Sequence, residues 1–160
     1  MVRCAPMTAA NRADAHALLA MFLRDDAHYR ASASIYGDGG VPALVRALEL
    51  FLARPEIGFV WLAEVEAQGA PQTVGACVVC RAISTSRGTL VAKLDDVTVH
   101  PTWQGRGVGE HMLGDLRGHL RLEGITRIDC GCHRENERAW RFYERLGFRA
   151  LDEERLALLI

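Results

Sequence analysis

The segment from residue 89 to residue 132 constrains the fold more than any other part of the chain. Thr89–Val99 is rich in β-branched residues and is followed by Pro101, which predicts a strand that stops there. Residues 107–122 carry apolar side chains at spacings of three and four, as an amphipathic helix does. Residues 125–132 predict a second strand. A strand, a helix and a strand in this order form a right-handed crossover with parallel strands, so the fold must contain one parallel strand pair.

Hairpin-linked strands and further helices are predicted around this unit. Gly69 and Pro71 lie between two apolar runs and indicate a hairpin turn. The other predicted strands are residues 59–66, residues 73–84 and two short strands within residues 148–160. The other predicted helices are residues 9–23 with Thr8 as N-cap, residues 41–53 and residues 136–146. Residues 25–40 contain several glycines and serines and predict a mobile loop between the first two helices, which both precede the sheet.

The expected fold class is α/β, with a mixed, mostly antiparallel central sheet that has one parallel strand pair and is flanked by helices. The 160 residues suit a single domain, expected over residues 1–160, because a chain of this length buries a sufficient core. The formal net charge of −1 would not attract nucleic acid or an anionic membrane. No apolar stretch reaches the roughly 20 residues that cross a bilayer, and the first residues lack a signal-peptide core. We therefore expect no nucleic-acid or membrane partner and a cytoplasmic location.

The five cysteines are expected to be reduced, because the number is odd and no export signal is apparent. Cys77 and Cys80 lie three apart on a predicted strand and point to opposite faces, which is a poor arrangement for one metal ion. Cys130 and Cys132 are expected to be structural thiols that share a strand face. The sequence therefore predicts neither a metal site nor a covalent cysteine relay.

Three glycines between the first strand and the helix of the crossover unit form a candidate anion site. The residues are Gln104-Gly105-Arg106-Gly107-Val108-Gly109, called here the glycine-rich loop. Amides at a helix N-terminus lack intrahelical acceptors, glycine permits close approach of a ligand, and the helix dipole adds positive charge. These properties suit a diphosphate. The third glycine comes one residue too early for a dinucleotide fingerprint and no Gly-Lys-Ser/Thr sequence occurs, which disfavours NAD and ATP.

Two linked motifs carry a family resemblance. The first is the sequence LDDVTVHP at residues 94–101 together with the glycine-rich loop. The second is the set Asn136, Ala139, Phe142, Tyr143, Leu146, Gly147 and Phe148. Both resemble signatures of the GNAT acetyltransferase superfamily, in an element order that covers nearly the whole chain. The resemblance implies that acetyl-CoA is the cosubstrate and that the loop amides hold its diphosphate.

The resemblance also implies further cofactor contacts. The main-chain groups of Val97, Thr98 and Val99 would bind the acetyl carbonyl and the pantetheine arm. Arg106 would add a positive charge, although a solvated loop arginine is an equally simple interpretation. Asn136 would bond the pantetheine or cap its own helix.

Tyr143 and an acidic pair are the predicted catalytic residues. By resemblance, the Tyr143 phenol donates a proton to the leaving thiolate. The amine that attacks must lose its proton, and Asp95 and Asp96 are the candidates to receive it. Strand alternation sends these two side chains to opposite faces unless a bulge intervenes, and we favour Asp95 as the one that contacts the acceptor.

The predicted activity is acetyl transfer directly from acetyl-CoA to an amine in a ternary complex. The acceptor is a small molecule or a peptide, and three acidic residues would favour a cationic amine if they face inward: Asp25, Asp26 and Asp38. A homodimer is plausible by resemblance. The alternative is a CoA-binding sensor or regulatory module that keeps the diphosphate site and does no chemistry.

Overall fold

A computed structural model describes all 160 residues as helices packed around one five-stranded sheet. The strands are β1 (Val2–Pro6), β2 (Gly58–Ala67), β3 (Ala70–Ser84), β4 (Thr89–Val99) and β5 (Ile128–Cys130). The α-helices are α1 (Arg12–Asp25), α2 (Ala27–Tyr36), α3 (Gly40–Ala53), α4 (Val108–Leu122) and α5 (Glu137–Arg145), and a short 3-10 turn covers Pro101–Trp103. No helix is both long enough and apolar enough to pass through a lipid bilayer.

The sheet confirms the predicted mixed, mostly antiparallel topology with one parallel strand pair. Its order is β1-β2-β3-β4-β5, with three antiparallel pairs and one parallel pair between β4 and β5. The β2–β3 hairpin turns at Gln68 and Gly69, whose φ angles are 54° and 80°. Two consecutive positive φ angles define the tight turn whose twist matches that of the flanking strands. The fold is therefore α/β with a mixed, mostly antiparallel sheet, as the sequence predicts.

Two hydrophobic cores cover the two faces of the sheet. On one face, α4 buries an apolar stripe against the strands, and α5 packs beside it. On the other face, α1 and α3 pack through Leu18, Leu19 and Leu48. Cys77 belongs to the first core and Cys80 borders the second, so their predicted opposite orientation is confirmed. The α4 residues buried in the first core are Val108, Met112, Leu113, Leu116 and Leu120.

The N-terminal part of the chain differs from the prediction in two ways. An edge strand, β1, precedes the helices and pairs with β2, so the expectation that helices come first is wrong. The first helix begins at Arg12 and not at residue 9, because the Thr8 amide and hydroxyl both donate to the side-chain oxygen of Asn11 and fold the preceding residues into a turn. Thr8 is therefore not the N-cap, a position that Asn11 holds.

The predicted loop at residues 25–40 is also wrong, because it contains α2. The Asp26 side chain accepts a hydrogen bond of 2.7 Å from the Tyr29 amide and so caps the helix at its N-terminus. Gly37, with φ of 89°, ends the helix. The glycines that suggest a loop lie only at the end of the segment, where they separate α2 from α3.

The last strand of the sheet is shorter than predicted. It covers Ile128–Cys130 and not residues 125–132, so Cys132 lies beyond it and does not share a strand face with Cys130. A three-residue strand offers little edge for another strand to join.

The C-terminal residues form no strands, which corrects the expectation of two short strands in residues 148–160. Ion pairs hold part of this segment instead. Arg134 pairs with Glu154, and Arg155 pairs with Asp95. The end of the chain is thereby tied to the segment after β5 and to β4.

Candidate functional site

Strands β4 and β5 separate before β4 ends, and the region between them is called here the cleft. The two strands pair only from Ala92 opposite Ile128 to Leu94 opposite Cys130. Strand β4 then continues for five more residues to Val99 while β5 has ended. Beyond Leu94, one edge of β4 therefore has no neighbouring strand. Residues 97–99 lie along this half-buried edge, next to the start of the glycine-rich loop.

A β-bulge in β4 reorients the acidic pair. The partner of Asp95 on β3 is Val78, whereas the partner of Thr98 is Ala76, so β4 has one residue more than β3 between these pairs. Asp96 takes up the irregularity with a φ of 48°, one of two positive φ angles outside glycine. A non-glycine residue in this region is strained and must be held by its surroundings. The bulge thus breaks the simple alternation of Asp95 and Asp96.

The glycine-rich loop leads into α4 with free amide groups. Gly105 and Gly107 have φ angles of 72° and 78°, and Gly107 is the N-cap in a left-handed conformation with no side-chain capping bond. The His111 amide donates to the Gly107 carbonyl at 3.0 Å. Amides earlier in this first turn therefore have no intrahelical acceptor. A side-chain atom at either glycine would meet no other atom within 4 Å, so the loop surface is open.

Side chains brace the loop against its surroundings. Gln104 donates to the Val99 carbonyl at 2.8 Å and accepts from Arg138 at 2.8 Å, which ties β4 to α5 through the loop. The Arg106 guanidinium lies 5.1 Å from the centre of the Trp103 ring, so Arg106 is an exposed cation with a partner on the 3-10 turn. The Gln104 amide donates to the Pro101 carbonyl at 3.3 Å, which corrects its expected place among the free donors, whereas the amides of residues 105–109 have no acceptor within the protein.

Gly109 and Val108 have packing roles in the first turn of α4. A side-chain carbon at Gly109 would lie 3.2 Å from the Phe142 ring and 3.6 Å from a methyl group of Val99. The absence of a side chain at Gly109 therefore lets α4, α5 and β4 meet closely. Val108 is buried in the core beneath α4.

Helix α5 places Tyr143 beside the cleft. Its apolar residues Ala139, Tyr143 and Leu146 are half-buried along one side, as the sequence predicts. The Tyr143 ring lies 5.3 Å from the rings of both Phe142 and Phe148. Burial, followed by the charges of nearby cysteines and Asp95, raises the pKa of Tyr143 well above its usual range. The phenol therefore keeps its proton at neutral pH.

Asn136 caps α5. Its side-chain oxygen accepts from the Ala139 amide at 3.1 Å, so the capping alternative for this residue is present in the structure. Its side-chain nitrogen has no partner among the hydrogen bonds of the protein and stays free to donate to a ligand. Capping and ligand binding are thus compatible uses of one side chain.

Asp96 is partly buried, and its pKa is raised. Burial is the main cause, and the negative charges of Asp95 and Asp26 add to it, so that the pKa of Asp96 rises to about 6 even though the Arg155 charge opposes the shift. The Asp95 side chain is 45% exposed and pairs with Arg155 at 3.4 Å. The charge of Asp95 therefore acts on both Asp96 and Tyr143, and the Arg155 ion pair belongs to Asp95 alone.

Helix α2 supplies residues that sequence patterns do not single out. Burial raises the pKa of both Tyr29 and Tyr36, with further contributions from Asp38 and Asp96, so these phenols lie close to the acidic pair. The two tyrosines are seven residues apart, which is two helical turns, and the Asp26 cap three residues before Tyr29 is the signal that could have revealed the helix. Helix α2 thus forms a wall of the cleft.

A ring contact links α2 to the other side of the cleft. The rings of His28 on α2 and His133 after β5 lie 5.0 Å apart. Three acids are predicted to favour a cationic amine. The negative charges of Asp26 and Asp38 raise the pKa values of Asp96 and Tyr36, respectively, whereas Asp25 pairs with its neighbour Arg24 at 2.7 Å in solvent. The cleft is therefore acidic on the α2 side.

The cysteines near the cleft are poor nucleophiles in this fold. Burial raises the pKa of Cys130 to about 11 and raises that of Cys77, Cys80 and Cys132 as well. Since the thiolate is the reactive form, these thiols remain protonated at neutral pH. Their surroundings give no support to a covalent acyl-cysteine.

Comparison with known families gives the site a context. Residues 22–148 match the model of the acetyltransferase (GNAT) family, a span that includes β4, the glycine-rich loop and α5. The chain belongs to the GNAT acetyltransferase family. This family uses acetyl-CoA, and the open, uncapped loop before α4 fits its diphosphate because no side chain fills the space over Gly105 and Gly107.

Individual relatives agree with this assignment. The chain is 33% identical over 70 residues to a glucosamine 6-phosphate N-acetyltransferase of Trypanosoma brucei brucei, a match that covers 44% of this chain and 46% of the relative. It is 31% identical over 97 residues to an uncharacterised N-acetyltransferase of Methanocaldococcus jannaschii, covering 61% of this chain and 41% of the relative. The matches thus span less than half the length of either relative.

A solved structure shares the fold. AAC(6')-Iy, in complex with the bisubstrate analogue CoA-S-monomethyl-acetylneamine, superposes with a TM-score of 0.75. The superposition covers 100% of this chain and 99% of that chain at 14% sequence identity. At this identity the likeness concerns the fold alone.

Proposed function

We propose that this chain transfers an acetyl group from acetyl-CoA to an amine, directly and within a ternary complex. The proposal is supported by free helix-terminal amides in the loop that follows β4, a protonated phenol at Tyr143 and a carboxyl group at Asp96 whose pKa is about 6, with the charge of Asp95 acting on both side chains. These are an anion site, a proton donor and a proton acceptor. Acetyl-CoA supplies the activated thioester, and the residues of the chain position it and move protons.

The glycine-rich loop would bind the diphosphate of acetyl-CoA. The free amides of residues 105–109 supply the donors, and the dipole of α4 and the exposed Arg106 add positive charge. The unpaired edge of β4 at Val97, Thr98 and Val99 would bind the pantetheine arm through main-chain groups. The free side-chain nitrogen of Asn136 would assist from the α5 side.

Tyr143 would act as general acid. Its burial keeps the proton on the phenol oxygen at neutral pH, and two of the groups whose charges raise its pKa, Cys130 and Asp95, lie where β4 and β5 separate. A buried phenol is a suitable donor to a sulfur that departs as thiolate. Phe142 and Phe148 hold the ring on two sides, so its orientation is fixed by packing.

Asp96 would take the proton from the amine. An alkylamine is protonated at pH 7, and a carboxylate whose pKa is about 6 is ionised at that pH yet more basic than an ordinary aspartate. The Asp95 side chain is 45% exposed, so a cationic acceptor could bind to it in place of its partner Arg155. Proximity of amine and thioester then supplies much of the rate enhancement, without a covalent enzyme intermediate.

The acceptor class follows from the charges of the cleft. Four acids place negative charge on the α2 side of the cleft, and the positive charge of Arg155 opposes them. The acids are Asp26, Asp38, Asp95 and Asp96. This balance favours a cationic amine and disfavours an acceptor that carries a phosphate. One relative is named for an amino sugar phosphate, and one structural neighbour holds an acetylneamine joined to CoA, which supports a small-molecule amine.

A thiol-release assay tests the proposal. The wild-type protein is supplied with acetyl-CoA and a panel of a polyamine, an aminoglycoside, a lysine-containing peptide and glucosamine 6-phosphate. We expect thiol release with at least one cationic amine and a weaker response with the phosphorylated amine. If no amine stimulates release although acetyl-CoA binds, the chain is instead a CoA-binding sensor.

The variant Tyr143→Phe separates catalysis from binding. Loss of a general acid is expected to lower kcat by about 100-fold to 10,000-fold. Binding of CoA and the unfolding midpoint should change little, because the ring contacts with Phe142 and Phe148 remain. An unchanged kcat would remove Tyr143 from the role of acid.

A further inference from the structure

Three potential metal ligands meet at the sheet edge that lies opposite β5. Cys4 is on the edge strand β1 and pairs with Ala63, and its side chain borders the core beneath α4. His111 and Asp115 are one turn apart on α4 and project from the same side of that helix. Cys4 lies far from the other two in the sequence, so only the packing of β1 against α4 brings the three together.

The distances suit one small cation. The ligand atoms of Cys4, His111 and Asp115 all lie within 4.8 Å of one another, and the His111 Nε2 and Asp115 Oδ2 atoms are 3.5 Å apart. In a tetrahedral zinc site, bond lengths of about 2.0 to 2.3 Å place neighbouring ligand atoms about 3.3 to 3.8 Å apart. The histidine and the aspartate already have this spacing. A small rotation of the Cys4 side chain would complete it.

Metal binding would displace the thiol proton of Cys4, which leaves to solvent. The cation would then bond to the Cys4 sulfur, a His111 ring nitrogen and an Asp115 carboxylate oxygen, whose positions already lie within 4.8 Å of one another.

The ligand types indicate the class of metal. A thiolate, an imidazole and a carboxylate together match the preferences of zinc, whereas calcium and magnesium take oxygen ligands. From the geometry we infer that Cys4, His111 and Asp115 bind a divalent cation of the zinc class, with a fourth position open to water. This site is distinct from the acetyl-CoA site, because it lies at the β1 edge of the sheet and uses none of the residues assigned there.

The surroundings provide access and charge. A surface cleft of about 460 Å³ adjoins the cluster, and Arg3, Cys4, Glu64 and Asp115 are among the residues that line it. This second cleft, at the β1 edge, gives a cation and its water a route to the ligands. Glu64 and Asp115 supply negative charge, opposed by Arg3. Bound metal would join β1 to α4 and so hold the edge strand against the helix.

Cobalt substitution tests the site without any measure of activity. The wild-type protein is titrated with Co²⁺ under reducing conditions, and a thiolate-to-cobalt absorption band should grow and saturate at one equivalent. Cys4→Ser should abolish the band, and Cys132→Ser, as the matched control, should leave it unchanged. His111→Gln and Asp115→Asn should each weaken binding by roughly tenfold or more, because each removes one of three ligands. The absence of a band in the wild type, or a band that survives Cys4→Ser, would overturn the inference.

Thermal unfolding gives a second readout. At free Zn²⁺ about a hundredfold above Kd, linkage predicts a rise in Tm of about 5 to 10 °C for a domain of this size. The rise should fall by about half or more in Asp115→Asn, because binding weakened tenfold leaves about half of the linkage stabilisation. This variant should fold because the replaced side chain is about half exposed, at 48%. An equal rise in wild type and in Asp115→Asn would contradict the site.

Discussion

Replacing Gly107 with alanine tests how the start of α4 is built. Gly107 has a φ of 78°, and a side-chain carbon there would meet no atom within 4 Å, so the cost comes from backbone strain and not from a clash. An L-residue in the left-handed region costs about 1 to 2 kcal/mol. Gly118 lies inside the same helix, also without a neighbour within 4 Å, and has no positive φ. Gly118→Ala should therefore stabilise by up to about 1 kcal/mol through helix propensity.

The two variants should thus differ in free energy of unfolding by about 2 to 3 kcal/mol, with Gly107→Ala the less stable. Urea denaturation measures this difference. Relief of strain in Gly107→Ala would also turn an amide away from the loop surface. Loss of one hydrogen bond to a charged ligand, about 1.5 to 3 kcal/mol, weakens CoA binding about tenfold to a hundredfold by calorimetry. Equal stability and unchanged CoA affinity in both variants would refute the reasoning.

Three further predictions concern the cleft and the core. The folded-state pKa of Asp96 is raised to about 6. The stability that protonated Asp96 contributes is therefore present below the unfolded pKa and is lost as pH rises through 6, because the partly buried carboxyl group then ionises. Asp96→Asn should accordingly raise the free energy of unfolding at pH 8 but not at pH 4. Arg155→Ala should move the acidic limb of kcat/KM to higher pH, because Arg155 opposes the effects of burial, Asp95 and Asp26 on the pKa of Asp96; an unmoved limb would mean that Asp96 is not the base. Leu116→Ala should cost about 2 to 5 kcal/mol in urea denaturation, against less than about 0.5 for exposed Leu122→Ala, and equal losses would contradict the assigned core.

Strong periodicity explains which elements the sequence predicts. The apolar stripe of α4, the turn at Gly69 and the stop at Pro101 each follow local chemistry, so the crossover unit and the β2–β3 hairpin can be predicted correctly. Strand β1 and helix α2 carry weaker signals. The five residues of β1 show little alternation of apolar and polar side chains, and tertiary contact decides their pairing with β2.

The site is predictable only where its residues are close in sequence. The glycine-rich loop and α5 carry local patterns, so their residues can be named from the sequence. The contributions of Tyr29, Tyr36 and Arg155 depend on how distant segments meet over β4. The same holds for the bulge at Asp96, because a register shift is a property of two strands and not of one.

We propose that free amides before α4 hold the diphosphate of acetyl-CoA. Calorimetric titration with CoA and with pantetheine, which lacks the diphosphate, tests it most directly. Two or more hydrogen bonds to a charged ligand should make CoA bind at least about a hundredfold more tightly than pantetheine. Equal affinity for the two compounds, or no binding of CoA by the folded protein, would contradict it.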